Sequence, residues 1–126
     1  KEMKPVETLY RCGAGMTGFY VSPFGELSPC LMTTNYSYDL KGSSFAERWQ
    51  VDVPELRDRA APADYACNSC DIRGLCTACP AFFRLETGDE AERSAYICSS
   101  TEHRRDALLP EKERPKSHPA LPVVRR

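Results

Sequence analysis

The run Cys67-Asn68-Ser69-Cys70-Asp71-Ile72-Arg73-Gly74-Leu75-Cys76-Thr77-Ala78-Cys79-Pro80 places four cysteines within the 13 residues from Cys67 to Cys79. Its few apolar residues follow neither the helical nor the strand period, so no regular face is available to bury it. Something other than a hydrophobic core has to hold such a loop. Two cysteines separated by two residues can put both sulfurs on one metal centre, and the run contains that spacing twice, at Cys67/Cys70 and at Cys76/Cys79.

Working outward, Pro80 suits the first position of a helix and Gly88 the position just past its end. A short helix over 80–87 is expected, with Ala81, Phe82 and Leu85 available for burial and Cys79 at its N-terminus, where thiolate charge is favoured. Beyond Cys98, Ser99-Ser100-Thr101-Glu102 matches a capping box and predicts a helix through Ala107, Leu108 and Leu109 that Pro110 stops. Upstream, Gly18–Ser22 and Leu27–Met32 flank Pro23-Phe24-Gly25-Glu26, which reads as a β-hairpin whose ends are bracketed by Cys12 and Cys30. Residues 33–41 read as a loop. Ser43 or Ser44 caps a short helix that places Phe45 and Trp49 on one face, expected to be core, and Val53, Leu56 and Ala60 continue the pattern after a break at Pro54. A substrate platform at Trp49 is the alternative use of these aromatics. The fold class expected is α+β: a small, loop-rich metal-cluster domain with an N-terminal β-hairpin and several short helices.

The chain has 126 residues, 41% hydrophobic and 28% charged, which fits one modest domain. We expect that domain over residues 1–109, followed by a Pro-rich basic tail over 110–126, disordered or used for docking. With 17 Lys and Arg against 18 Asp and Glu, the net charge of −1 argues against nucleic acid as a partner. No apolar run approaches the roughly 20 residues of a membrane helix, and no signal peptide opens the chain, so a membrane partner is not expected and the location is read as cytoplasmic. The chain opens with Lys1 and not Met, as expected of a piece of a longer protein.

The seven cysteines are Cys12, Cys30, Cys67, Cys70, Cys76, Cys79 and Cys98. A disulfide framework would leave one over, and in a reducing compartment clustered thiols bind metal or do redox chemistry. Structural zinc usually takes two distant Cys-x2-Cys knuckles, whereas iron–sulfur clusters are held by tight cysteine runs that often end in Cys-Pro, with the last Cys serving a second cluster. By that logic the seven divide into four and three: Cys67, Cys70, Cys76 and Cys98 for one cluster, Cys12, Cys30 and Cys79 for the other. The second set is one ligand short, and its open position suits a non-Cys protein ligand, water or a substrate group; His103 is the nearest protein candidate, and His118 is assigned no role. Gly13-Ala14-Gly15 beside Cys12 lacks the remaining features of a nucleotide fingerprint and suits close approach of backbone N–H groups to a cluster.

These spacings resemble the SPASM domain, the C-terminal auxiliary-cluster domain of radical SAM enzymes that modify peptides and proteins. Its pattern is a Cys, an intervening stretch, Gly, four residues and Cys, then Cys-x2-Cys-x5-Cys-x3-Cys and a final Cys. Here twelve residues separate Cys12 from Gly25, four more lead to Cys30, Cys67-x2-Cys70-x5-Cys76 follows, and Cys98 closes the series. The chain departs from the pattern between Cys76 and Cys79, which have two residues between them. The resemblance implies two 4Fe-4S clusters with the same ligand division, a role in electron transfer or substrate engagement during peptide modification, and zinc in aerobically prepared protein. The implied partners are the radical SAM barrel domain of the same enzyme, a peptide or protein substrate, and an external electron donor. The Cys-x3-Cys-x2-Cys motif that binds S-adenosylmethionine is not in this sequence, so that cofactor would belong to the missing N-terminal domain and this chain would be a non-catalytic fragment. A structural zinc-binding interaction module is the alternative reading.

Overall fold

The computed structural model describes residues 4–115. The turn that opens the sheet is built by Ser22, whose hydroxyl accepts from the backbone N–H groups of Phe24 and Glu26 while its own N–H donates to the Glu26 carbonyl. Gly25 closes it at a φ of 81°, a left-handed conformation that glycine adopts without steric cost. The expected hairpin follows, with β1 (Tyr20–Val21) antiparallel to β2 (Glu26–Ser28), Tyr20 opposite Ser28 and Val21 opposite Leu27. A third strand, β3 (Tyr38–Asp39), pairs with the other edge of β2 inside the stretch read as a loop. Tyr38 is fixed there by its hydroxyl, which donates to the Asp52 carbonyl at 3.1 Å, a partner 14 residues away.

Two compact units divide the chain: Glu7–Ala61, and the segments that flank it, Lys1–Val6 with Pro62–Arg126. The first unit holds the sheet, α1 (Phe45–Val51) and α2 (Pro54–Arg57). Ser44 caps α1 as expected, its hydroxyl accepting from the Glu47 N–H, and Pro54 opens α2 at a position where its missing N–H costs nothing. Leu27, Val53, Leu56, Tyr10 and Tyr36 form the core, the two tyrosines meeting edge to face at 6.2 Å. Phe45 and Trp49 do not enter it. They stack at 5.6 Å, with Phe19 edge-on to both, and form a surface cluster in which Phe19 is 56% and Phe45 39% exposed. The buried side of this unit is already filled by Leu56 of α2, Val53 just before it, Leu27 and the two tyrosines, which corrects the expectation of core packing for these aromatics. Ala60 is exposed, and pairs through its backbone with Thr8.

The second unit holds α3 (Pro80–Thr87) and α4 (Ala95–Leu108). The bounds of α3 are those expected, ending on Gly88 at a φ of 91°. Its buried residues are Pro80, Ala81 and Phe83, whereas Leu85 is exposed and Phe82 half-buried, so the buried face is turned by one residue from the expected one. Helix α4 begins before the expected capping box: Ser94, wholly buried, accepts from the Ile97 N–H and starts the helix there, which leaves Cys98 and Thr101 within it. After Pro110 a single 3-10 turn spans Glu111–Glu113, and Arg114 donates back to the Leu109 and Asp106 carbonyls. The rest of the tail expected over 110–126 lies outside the described residues. Short antiparallel strands and several short helices make this a small α+β fold. Among the described residues no helix is long and apolar enough to cross a membrane.

Gly15 tests the packing of the first unit. Its φ is 67°, and a Cβ there would stand 2.7 Å from Val53 Cγ1. Gly15→Ala should therefore destabilise by about 2 kcal/mol, from backbone strain and overpacking together. Gly42→Ala, which meets nothing within 4 Å, should stay within about 0.5 kcal/mol of the parent. Urea denaturation of both variants checks this, and equal midpoints would contradict the packing described.

Candidate metal centre

The cysteine loop is made of two single 3-10 turns, Ala66–Ser69 and Arg73–Leu75. Each turn delivers a cysteine into extended backbone at its exit: Cys70 after the first, with its N–H on the Cys67 carbonyl, and Cys76 after the second, with its N–H on the Arg73 carbonyl. Short polar side chains and Gly74 permit these tight turns, but contribute little burial. Polar clamps hold the loop alongside the buried Cys67 and Ile72. Asn68 Oδ1 accepts from the Val6 N–H at 2.7 Å and from Arg73 Nη1 at 2.8 Å, while the other arm of Arg73 donates to the Lys4 carbonyl. From the far side Arg104 of α4 donates to the Leu75 carbonyl at 2.7 Å.

Helix α4 brings Cys98 to this loop. Thr101 stands three residues further along, on the same helical face, and its Oγ1 lies 3.3 Å from Cys76 Sγ and 2.8 Å from the Ile97 carbonyl. The hydroxyl has one proton to give, and these two acceptors share it. Burial pushes the Cys98 thiol up to about 11, with the nearby Arg93 guanidinium opposing the rise and Cys67, Cys76 and Cys70 adding to it. Burial also raises the Cys67 thiol; the Tyr65 hydroxyl bonded to it and Arg93 favour its charged form, and Cys76 and Cys70 disfavour it. The buried Tyr65 hydroxyl is held protonated well above its usual range by burial and by that same bond to Cys67. Cys67, Cys70, Cys76 and Cys98, the four expected to act together, thus lie within electrostatic reach of one another. They share a neighbourhood without converging: among the described residues, no group of three or more His, Cys, Asp or Glu side chains stands in an arrangement that could hold a metal ion.

The remaining thiols are placed differently. Cys79 is the residue before α3, half-buried, and its carbonyl accepts from the Phe83 N–H. Cys12 and Cys30 belong to the other unit. Arg57 donates to the Cys12 and Ala14 carbonyls, and Thr33, fully buried, both accepts from the Cys30 N–H and donates to its carbonyl. A backbone bond from Gly15 to Pro29 joins the turn after Cys12 to the residue preceding Cys30. The Gly15 N–H is thereby used within the protein, where the sequence suggested approach to a cluster. His103 is exposed on α4 with Nδ1 at 2.8 Å from the Ser99 carbonyl, and His118 lies outside the described residues. All seven cysteines are free thiols.

Three residues beside the four thiols escaped sequence reading: Tyr65, Arg93 and Thr101. Thr101 had a signal in its spacing from Cys98, hidden by reading it as part of a cap. Arg93 had none, because nothing local distinguishes it from the other arginines. No protein-family model, curated protein or solved structure matches this chain.

The placement of Cys98 is open to a direct test. In the metal-free, reduced chain its raised thiol should alkylate with iodoacetamide at pH 8 at least about tenfold more slowly than in urea, because the thiolate is the nucleophile. The gap should close as pH rises toward 11. Mass-spectrometric mapping of the modified peptide measures both rates, and equal rates at pH 8 would contradict the burial of this thiol.

Proposed function

We propose that this chain is an auxiliary iron–sulfur domain of a radical SAM enzyme, binding 4Fe-4S clusters that serve electron transfer or substrate engagement in peptide or protein modification. The observation that supports the reading is that Cys67, Cys70 and Cys76 from one loop and Cys98 from α4 lie within electrostatic reach of one another, although they do not converge on one point among the described residues. The donor set suits the group, since four thiols match the ligand demand of a four-iron cluster. A buried Arg93 nitrogen with no hydrogen-bond partner among the described residues suits it further, because an anionic assembly would complete that nitrogen.

In this reading Cys67, Cys70, Cys76 and Cys98 hold one cluster, and the cysteine spacing assigns Cys12, Cys30 and Cys79 to a second. A bound cluster would supply one-electron redox chemistry. The chain's own residues do the rest. Asn68, Arg73 and Arg104 fix the loop, so that its sulfurs are presented at defined points. Tyr65 and Thr101 donate hydrogen bonds to ligand sulfur, which stabilises thiolate charge and tunes the redox poise of the site. Burial of Cys67 keeps water from part of the ligand shell. The SAM-binding barrel, the peptide substrate and the external electron donor belong to this proposal as partners.

Iron content of cysteine variants tests the division of ligands. Anaerobically reconstituted Cys70→Ala should lose about half of the iron and sulfide of the parent and retain the cluster on the other set, and Cys12→Ala should show the reverse. Loss of both clusters from each variant, with circular dichroism unchanged, would contradict the four-and-three division.

A further inference from the structure

A strand at the edge of a sheet leaves alternate backbone groups unpaired, and the hydrogen bonds of this sheet show which ones. The Ser22 N–H donates to the Glu26 carbonyl, so these two residues form a hydrogen-bonded pair and, by the alternation of an antiparallel ladder, Tyr20 and Ser28 form the next. The Leu40 N–H on the Gly25 carbonyl fixes the same alternation on the other side, where Leu27 bonds Tyr38. The N–H and C=O of Val21, and of Phe19 two residues before it, therefore point away from β2 and meet no partner among the described residues. The opposite edge of the sheet is closed. There the outward carbonyl of β3 is that of Asp39, which accepts from Ser43 Oγ at 3.0 Å and Arg48 Nε at 3.1 Å, while the Asp39 carboxylate holds the Lys41 N–H. No described residue closes the edge of β1 in this way. Natural sheets also guard open edges with charge, yet the 14 residues from Cys12 to Gly25 include no Asp, Glu, Lys, Arg or His in a chain that is 28% charged. Phe19 is 56% and Val21 42% exposed along that edge.

We propose that the open edge of β1 pairs antiparallel with the same edge of a second copy of this chain, about a twofold axis at Tyr20. The inference stands on the sheet alone and is independent of the iron–sulfur reading. A twofold axis sets each side chain of the edge near its own copy, so a charge in the run would meet its like, and the run carries none. Pro23 selects the register. An axis at Val21 would set Phe19 opposite Pro23, which has no N–H to give, whereas an axis at Tyr20 sets Phe19 opposite Val21 of the second copy, and each such pair exchanges both main-chain bonds. Phe19 already meets Phe45 at 5.0 Å and Trp49 at 5.9 Å. Val21 of the second copy, directly across from Phe19 on the same face, then forms an aromatic–β-branched cross-strand pair beside that cluster, and the two Tyr20 side chains face each other on the other side of the sheet.

Sedimentation velocity of the full chain tests this, in a phosphine reductant so that no intermolecular disulfide forms, at concentrations up to about 1 mM, where even weak specific association is populated. The parent should pass from monomer to dimer as concentration rises. Tyr20→Lys and Tyr20→Glu, each alone, place like charges across the axis and should weaken dimerisation at least about tenfold, and an equimolar mixture of the two should regain it. Val21→Pro removes an outward N–H and spares the bonds between β1 and β2, so it should be monomeric with the circular dichroism of the parent. If the Tyr20 variants lose that circular dichroism, Val21→Pro decides the matter. A parent that stays monomeric throughout, one that grows past the dimer, folded Tyr20 variants whose mixture associates no better than either alone, or a folded Val21→Pro that dimerises like the parent would each overturn the inference.

Discussion

Thiols crowded into one small volume repel one another as soon as they ionise, and burial adds a second cost, because charge leaves water. The region around Cys67 and Cys98 is governed by this constraint. Without a metal the protein meets it by keeping these two thiols protonated, and the Cys98 thiol stands near 11. A positive centre reverses the balance. Thiolates become the favoured form, and the donors already in place, Tyr65 on Cys67 and Thr101 beside Cys76, act on charge and not on a neutral thiol. On the proposed reading, metal binding there would release protons and strengthen with rising pH.

The scaffold is consistent with that role. A loop with little apolar surface holds its shape through polar bonds that reach outside it, from Asn68 to Val6 and from Arg104 to Leu75. Such bonds fix backbone position without filling the space between the sulfurs. The core of this unit, Tyr65, Cys67, Ile72, Ala81 and Phe83 with the buried Ser94 and Thr101, is small, and on the proposed reading bound metal would contribute folding free energy. The other unit is built conventionally, with Leu27, Val53 and Leu56 closing an aliphatic core.

Local chemistry made parts of the fold legible in the sequence. The bounds of α3 follow from Pro80 and Gly88, the start of α1 from Ser44, and the first turn from Pro23 to Glu26, because each depends on residues within one turn of the chain. What escaped depends on distant partners. Strand β3 exists because Tyr38 meets Leu27 and Asp52, and no local pattern reports that. Phe82 and Phe83 are adjacent, so periodicity alone could not choose which one is buried. Ser94 and Ser99 are both plausible caps, and the buried hydroxyl of Ser94 decided between them. For the site, spacing grouped Cys67, Cys70, Cys76 and Cys98, and the structure sets them within electrostatic reach of one another without an arrangement that could hold a metal ion among the described residues. Arg93 became visible only once the fold had taken its guanidinium out of water.

The central claim is that these thiols hold iron and sulfide. Iron and acid-labile sulfide, determined together with the visible spectrum of anaerobically reconstituted protein, test it most directly. The account predicts about eight irons and eight sulfides per chain in a brown protein that bleaches on reduction. A colourless protein with stoichiometric zinc and no sulfide, prepared under the same anaerobic conditions, would contradict it.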